Sequence, residues 1–311
     1  MSRAALLLVL CAGCARVPDR EILFQARPPN DSENIWALNP RNGEVRRITA
    51  GDSSLAHAVP AWSPDGRSIA FTREMPDHDE LWIQDSAGAR PRRIAQDAPR
   101  AISFPAWSPD GASLLFNAGL TIDRMGVWLI RPDGGGLREI LSDSTNYRCP
   151  SWSPDGRRFV VGASTPYTSE ILEYDLTTRA RSARTFSDST FLDCPQYSPD
   201  GSRILFTVVH GGTDPQLLSV AKVTANLAVL ELASGRQRWI SRNDGVSSFG
   251  HWSRDGKWIV FQSDRHAAPQ AGDSVTTAQR LANLEIYIVR STGRRLRRMT
   301  TNEYLEAHPS W

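Results

Sequence analysis

The apolar run near the N-terminus covers only Ala4 to Leu10, far short of the ~20 residues a membrane-spanning helix needs. No Gly-x-Ser-x-Gly elbow is present, since Gly245-Val-Ser-Ser-Phe249 fails at its last position. That removes the usual strand-to-helix hydrolase nucleophile. No Gly-x-x-x-x-Gly-Lys-Ser/Thr loop occurs, and Asp133-Gly-Gly-Gly136 reads as a hairpin turn, so no nucleotide site is expected. The six histidines form no His-Glu-x-x-His pattern and no zinc-spaced cluster with cysteine, so no metal and no cofactor are assigned. A net charge of +2 gives no electrostatic case for nucleic acid as a partner.

The first fourteen residues, MSRAALLLVLCAGC, differ from the rest. One early charge at Arg3, the apolar run and then small residues before Cys14 are the anatomy of an export signal. A redox reading of Cys11-Ala-Gly-Cys14 is weaker, because such a pair should open a helix inside a βαβ unit. The stretch resembles a bacterial lipoprotein signal, although Cys11 stands where that signal usually has leucine. The resemblance implies a signal peptide over 1–13, an acylated Cys14 and a short tether over 14–20. Acyl chains would then hold the protein on a membrane through their buried methylenes.

The remainder is a repeat. WSPDG occurs at Trp62–Gly66, Trp107–Gly111 and Trp152–Gly156, followed by YSPDG at Tyr197–Gly201 and WSRDG at Trp252–Gly256, and Trp311 closes a sixth register. Serine suits the first turn position, proline presets φ at the second, and glycine accepts the positive φ that closes the loop. The structural turns are therefore Asp65-Gly66, Asp110-Gly111, Asp155-Gly156, Asp200-Gly201 and Asp255-Gly256, each joining two strands. Apolar runs such as Ser68-Ile-Ala-Phe-Thr72 follow the motif, and a second hairpin follows each run, for example Leu81-Trp-Ile83 before an arginine-bearing strand. Four short strands per unit of about 45 residues is the signature of a propeller blade. Glu21–Gln25 matches a second strand and Ala307–Trp311 a first. The expectation is an all-β, six-bladed β-propeller over 21–311, four antiparallel strands per blade, with the first blade closed by the C-terminal strand.

These residues resemble the six-bladed propellers of the TolB-like family, whose repeats carry WSPDG. The resemblance covers 20–311. It implies a propeller without the additional N-terminal domain of TolB, and without the hydrolase domain that follows similar propellers in some peptidases.

Loops entering the first strand and loops joining second to third strands share one rim. The candidate binding residues there are His57, Asp77, His78, Arg124, Tyr147 and Arg148, together with Tyr167, Asp193, His266, Glu306 and His308. His57 and His308 fall on adjacent inner strands, so a metal or acid-base pair is imaginable. Solvated loop residues are the blander reading and the preferred one. Long loops over 209–225 and 264–283 extend the same rim, as recognition loops or as tolerated insertions.

Cys149 and Cys194 hold matching places before proline in neighbouring blades. Rotational equivalence argues for buried free thiols over a disulfide, since matching side chains point the same way around the ring. Eight of ten tryptophans recur at repeat positions and read as packing between blades, not as a carbohydrate platform. Arg46, Arg47, Arg92, Arg93, Arg297 and Arg298 sit on outer strands, where charge keeps an exposed edge from pairing.

The leading expectation is a lipid-anchored propeller of the bacterial cell envelope, monomeric and non-catalytic. Its partner would be an envelope protein or peptide bound through the loop-rich rim. The alternatives are a propeller-type lyase or hydrolase with a polar site at the central channel, and a sugar- or peptide-sensing module.

Overall fold

The computed structural model describes residues 17–49, 55–87, 89–210, 224–242, 245–267, 283–301 and 304–311. The signal, Cys14, and most of both long loops lie outside the described residues. Six four-stranded antiparallel sheets follow one another as blades. Blade 1 joins Leu305–Ser310 to Ile22–Arg27, Asn34–Leu38 and Val45–Arg47. Blade 2 holds Ala56–Trp62, Ser68–Glu74, Asp79–Asp85 and Arg92–Ile94, and blade 3 holds Ala101–Trp107, Leu114–Gly119, Met125–Ile130 and Arg138–Leu141. Blade 4 runs Asn146–Trp152, Arg158–Ser164, Ser169–Asp175 and Arg181–Ser187, and blade 5 runs Phe191–Tyr197, Arg203–His210, Thr224–Glu231 and Gln237–Trp239. Blade 6 completes the ring with Ser247–Trp252, Trp258–Ser263, Glu285–Arg290 and Arg297–Arg298.

The motif builds each inner hairpin by the same bonds. In blade 2 the Ser63 hydroxyl donates to Asp65 at 2.6 Å, Asp65 accepts from Arg67 N at 3.0 Å, and Ser68 N donates back to Ser63 Oγ at 2.9 Å. Gly66 stands at φ +75° and its N–H donates to Ser63 O, a conformation glycine adopts without steric cost. The proline then packs on the next blade: a Cβ on Gly201 would lie 3.5 Å from Pro154 Cδ. The motif aromatic stitches blades as well. Trp152 Nε1 donates to Ala106 O at 3.0 Å, and Trp107 Nε1 to Ala61 O at 3.2 Å. In blade 5 Tyr197 replaces tryptophan and donates instead to Glu173.

Between these hairpins, second strands bury their apolar residues on both faces. Phe24, Phe71, Phe116, Phe206 and Phe261 occupy one register and are almost wholly excluded from solvent, each burial contributing about 2 kcal/mol. The apolar clusters join consecutive blades, as where Ala70 and Leu81 of blade 2 pack with Leu114 and Phe116 of blade 3. Outer strands are exposed, and their arginines reach inward to carboxylates: Arg93 to Glu80 at 2.8 Å, Arg184 to Glu173, and Arg298 to Glu285.

Closure follows the expected topology. Leu23 faces Ser310, Gln25 faces Ala307 and Arg27 faces Leu305 in antiparallel register, so the last strand completes the first sheet. No hairpin joins these two strands; Trp311 Nε1 donates to Arg20 O at 3.0 Å across the seam, and arginines tie its surroundings to blade 2. Arg20 donates to Ser63 O at 2.7 Å, and Arg254 donates to Pro64 O at 2.5 Å.

Each inner strand carries a bulge three residues before its motif aromatic. Val59, Phe104, Cys149, Cys194, Phe249 and His308 all have φ between +45° and +53°, a region non-glycine residues seldom enter. The pairing register shifts at the same place in every blade. The bulge re-aims these six side chains towards the axis. Phe104 and Phe249 stack across it with centroids 6.0 Å apart, and His308 meets Phe249 edge-on at 4.2 Å.

One expectation is overturned at this ring. Cys149 and Cys194 are joined as a disulfide, with Cα atoms 4.7 Å apart. In a six-fold ring, neighbouring equivalent atoms are separated by their own distance from the axis. Close to the axis, side chains that point the same way around the ring therefore converge.

Candidate functional site

The axial ring divides the channel into two unlike ends. On the hairpin side it floors a cavity of about 310 Å³, lined by the segments running from each bulge to its motif aromatic. Of the rim candidates only His308 lines it. His251 and Gln196 add a polar wall that sequence reasoning missed. Gln196 Oε1 accepts from Trp252 N at 2.6 Å, so its amide nitrogen donates to His251 Nδ1 at 2.7 Å. That network assigns His251 the Nε2–H tautomer. Burial lowers its pKa to about 4.

His308 has the opposite tautomer. Gln25 Oε1 accepts from Val59 N at 3.0 Å and from His308 Nδ1 at 2.8 Å, which leaves Nε2 as the acceptor. Burial first, then the nearby Arg148 and His251, bring its pKa down to about 3. At neutral pH the cavity thus presents uncharged imidazoles above an aromatic floor. The signal that would have revealed this ring is the register three residues before each motif aromatic, where Phe and Cys each recur and proline follows in five of six blades.

Beside the disulfide, Arg148 Nε lies 3.5 Å from Asp193 Oδ1, and the guanidinium sits 5.7 Å from the Phe104 ring centre. Asp193 also accepts from Cys194 N at 2.9 Å. These are the rim candidates that the structure brings together.

Asp77 and His78 also pair, within one loop, and the others separate. His57 is buried against Phe71 at 5.5 Å, with no partner for Nδ1 among the described residues, and burial followed by Arg73 lowers its pKa to about 4. It packs on Phe71 while His308 turns to Phe249, so the imagined acid-base pair does not form. His78 lies between carboxylates, 2.8 Å from Asp77 and 3.4 Å from Glu80. The hydrogen bond it donates to Asp77 raises its pKa and lowers that of Asp77. Tyr147 is fully buried and donates to Asp143 at 2.9 Å; burial, then Asp143, raises its pKa to about 12. Glu306 is buried and accepts from Thr300. His266, in the short 3₁₀ turn Arg265–Ala267, lies 3.7 Å from Glu285.

Arg124 and Tyr167 occupy the loops between second and third strands of blades 3 and 4, and both are exposed. Around them stand further exposed apolar side chains: Leu120 at 82%, Ile122 at 69% and Phe186 at 59%, beside Tyr167 at 81%. The two loops are coupled. Asn146 Nδ2 donates to Ile122 O at 3.4 Å and Asn146 Oδ1 accepts from Met125 N. Asn146 pairs with Ser164, which precedes the Thr165–Thr168 turn carrying Tyr167. Folding therefore leaves Leu120, Ile122 and Tyr167 in water on two coupled loops, and Phe186 in water near the end of the outer strand of blade 4.

A repeat of aromatic-stitched hairpins around a bulged axial ring defines a six-bladed β-propeller. The chain belongs to the TolB beta propeller domain family, which matches residues 44–226. Among solved structures it is similar to TolB from Acinetobacter baumannii, with a TM-score of 0.71 at 17% identity, covering 94% of this chain and 66% of that one. It is also similar to an oligogalacturonate lyase in complex with manganese, at TM-score 0.53 and 18% identity, over 76% of this chain and 69% of that one. A chain of a nidogen/laminin complex matches at TM-score 0.66 and 12% identity, over 93% and 97% respectively. At these identities the likeness concerns fold, and one scaffold hosts unrelated functions.

Proposed function

We propose that the protein is a lipid-anchored, non-catalytic binding module of the bacterial cell envelope, which takes a protein partner on the rim over blades 3 and 4. The observation that carries this reading is the exposure of Leu120, Ile122, Tyr167 and Phe186, each more than half in solvent, on blades 3 and 4. Contiguous exposed apolar groups on a soluble domain mark interaction sites. Arg124 beside them supplies the charged, orienting contact common at such surfaces. Family membership and the signal-like N-terminus support the envelope location, and Cys14 is the attachment point.

A photo-crosslinking amino acid placed at Tyr167 should capture a partner in intact cells, whereas one placed at Lys257 on the hairpin face should not. Equal capture from both faces would remove the rim assignment. Leu120→Asp combined with Tyr167→Ala should weaken capture at least tenfold with melting unchanged. Separately, Cys14→Ala should shift the protein from membranes to the soluble fraction, and unchanged partition would rule out the anchor.

A further inference from the structure

At one polar position three blades keep an amide and three depart from it, with Thr72, Gly162 and Thr207 in blades 2, 4 and 5. In blades 1, 3 and 6 the residue after the core phenylalanine is Gln25, Asn117 or Gln262. Its side-chain oxygen accepts the bulge N–H of the next blade, from Val59 at 3.0 Å, Cys149 at 2.8 Å and His308 at 2.7 Å. Blade 4 has Gly162 in that register, where an added Cβ would lie 3.4 Å from Asp193 Oδ1. Asp193 takes over the bond, accepting from Cys194 N at 2.9 Å. A neutral amide is thereby replaced by a carboxylate beside two sulfurs. The sulfur atoms of Cys149 and Cys194 and a carboxylate oxygen of Asp193 all lie within 4.8 Å of one another, and all three residues are buried.

We propose that Cys149, Cys194 and Asp193 form a redox-gated site for a soft divalent cation such as zinc. The disulfide is the closed state. A dithiol reductant transfers two electrons and two protons to the sulfur–sulfur bond and itself becomes a disulfide. The freed thiols then release two protons to solvent as the cation binds. Two thiolates and a carboxylate suit zinc, which takes sulfur at about 2.3 Å and oxygen at about 2.1 Å, with water completing a tetrahedron. Soft sulfur ligands also favour it over the harder cations. Three negative ligands on a dication leave one excess negative charge, and Arg148, 3.5 Å from Asp193, balances it. Both cysteines line the hairpin-side cavity, which provides an entry path. The donors stand on inner strands of adjacent blades, so their backbone is already placed.

The test uses the full chain carrying Cys11→Ser and Cys14→Ser, so that Cys149 and Cys194 are the remaining two of its four cysteines. After reduction with dithiothreitol and desalting under argon, zinc is titrated against a chromophoric chelator. The reduced chain should take up one zinc at least 100-fold more tightly than the oxidised chain. Cobalt should give thiolate charge-transfer absorption in the reduced form alone. Adding Cys149→Ser or Cys194→Ser should abolish uptake, and Asp193→Asn should weaken it about tenfold or more. The Cys149→Ser, Cys194→Ser double variant reports by circular dichroism whether the ring folds without the link. Absence of zinc uptake by the reduced chain, uptake that survives Cys194→Ser, or loss of the β-sheet spectrum on reduction would each overturn the proposal.

Discussion

The two faces of the ring solve opposite problems. On the hairpin face, five near-copies of one turn satisfy their own polar groups: the serine hydroxyl, the aspartate carboxylate and the backbone N–H groups close on one another. The motif aromatic and proline are spent on the neighbouring blade. On the opposite rim no motif recurs, and blades 3 and 4 leave large apolar groups in water. Uniformity serves assembly of the ring, and variation is confined to the side where a partner can be chosen. The hairpin face should accordingly govern stability, and the rim should be nearly silent in it.

The largest expected contrast is between Trp152→Ala and Tyr167→Ala. The first removes packing between blades and the bond to Ala106 O, and should cost about 3 kcal/mol in urea unfolding. The second should change stability by less than about 0.5 kcal/mol. Comparable losses would erase the division of labour.

Acid should act through the histidines before the hairpins. His251 and His308 have folded pKa values of about 4 and 3, below the ordinary value of 6.5. The unfolded chain therefore binds their protons first. Stability is full well above pH 6.5 and falls as pH drops towards 4, by about 1.6 kcal/mol per histidine between pH 6.5 and 5. His251→Gln should flatten that part of the melting-temperature profile, and an unchanged slope would count against neutral burial. The hairpin carboxylates, with Asp200 held down to about 2 mainly by Ser198, contribute stability above the ordinary carboxylate range. They lose it only as pH falls below about 4. The smallest effect is that of a single turn: Asp155→Ala should cost about 1 kcal/mol, since it removes the acceptor for Ser153 and Arg157 N.

Fold and site differed in how far they could be read from the sequence. The strands, the turns and the meeting of Ala307–Trp311 with the start of the ring follow from local rules, namely which residues accept a turn and which alternate or bury. The axial ring follows no such rule. Val59, Phe104, Cys149, Cys194, Phe249 and His308 share a backbone angle while their side chains range from valine to histidine. Attention to the residues five before the motif aromatic found His57 and Glu306, both buried in the blades. The disulfide was misjudged because spacing around the ring depends on distance from the axis, which sequence position does not carry. On the rim, Arg124 and Tyr167 were named as candidates. Their apolar companions Leu120, Ile122 and Phe186 were not, because exposure is a property of the folded loop.

The pairing of Ile22–Arg27 with Leu305–Ser310 also sets a timetable. A growing chain can assemble blades 2 to 6 in order, but its first sheet waits until Leu305–Ser310 has been made. Until then the Ile22–Arg27 strand offers an open edge of apolar residues, and the ring is a crescent. Contacts of such sequence separation form slowly. The six-residue strand Leu305–Ser310 is thus a latch, and conditions that delay its arrival prolong the period in which another chain can take its place.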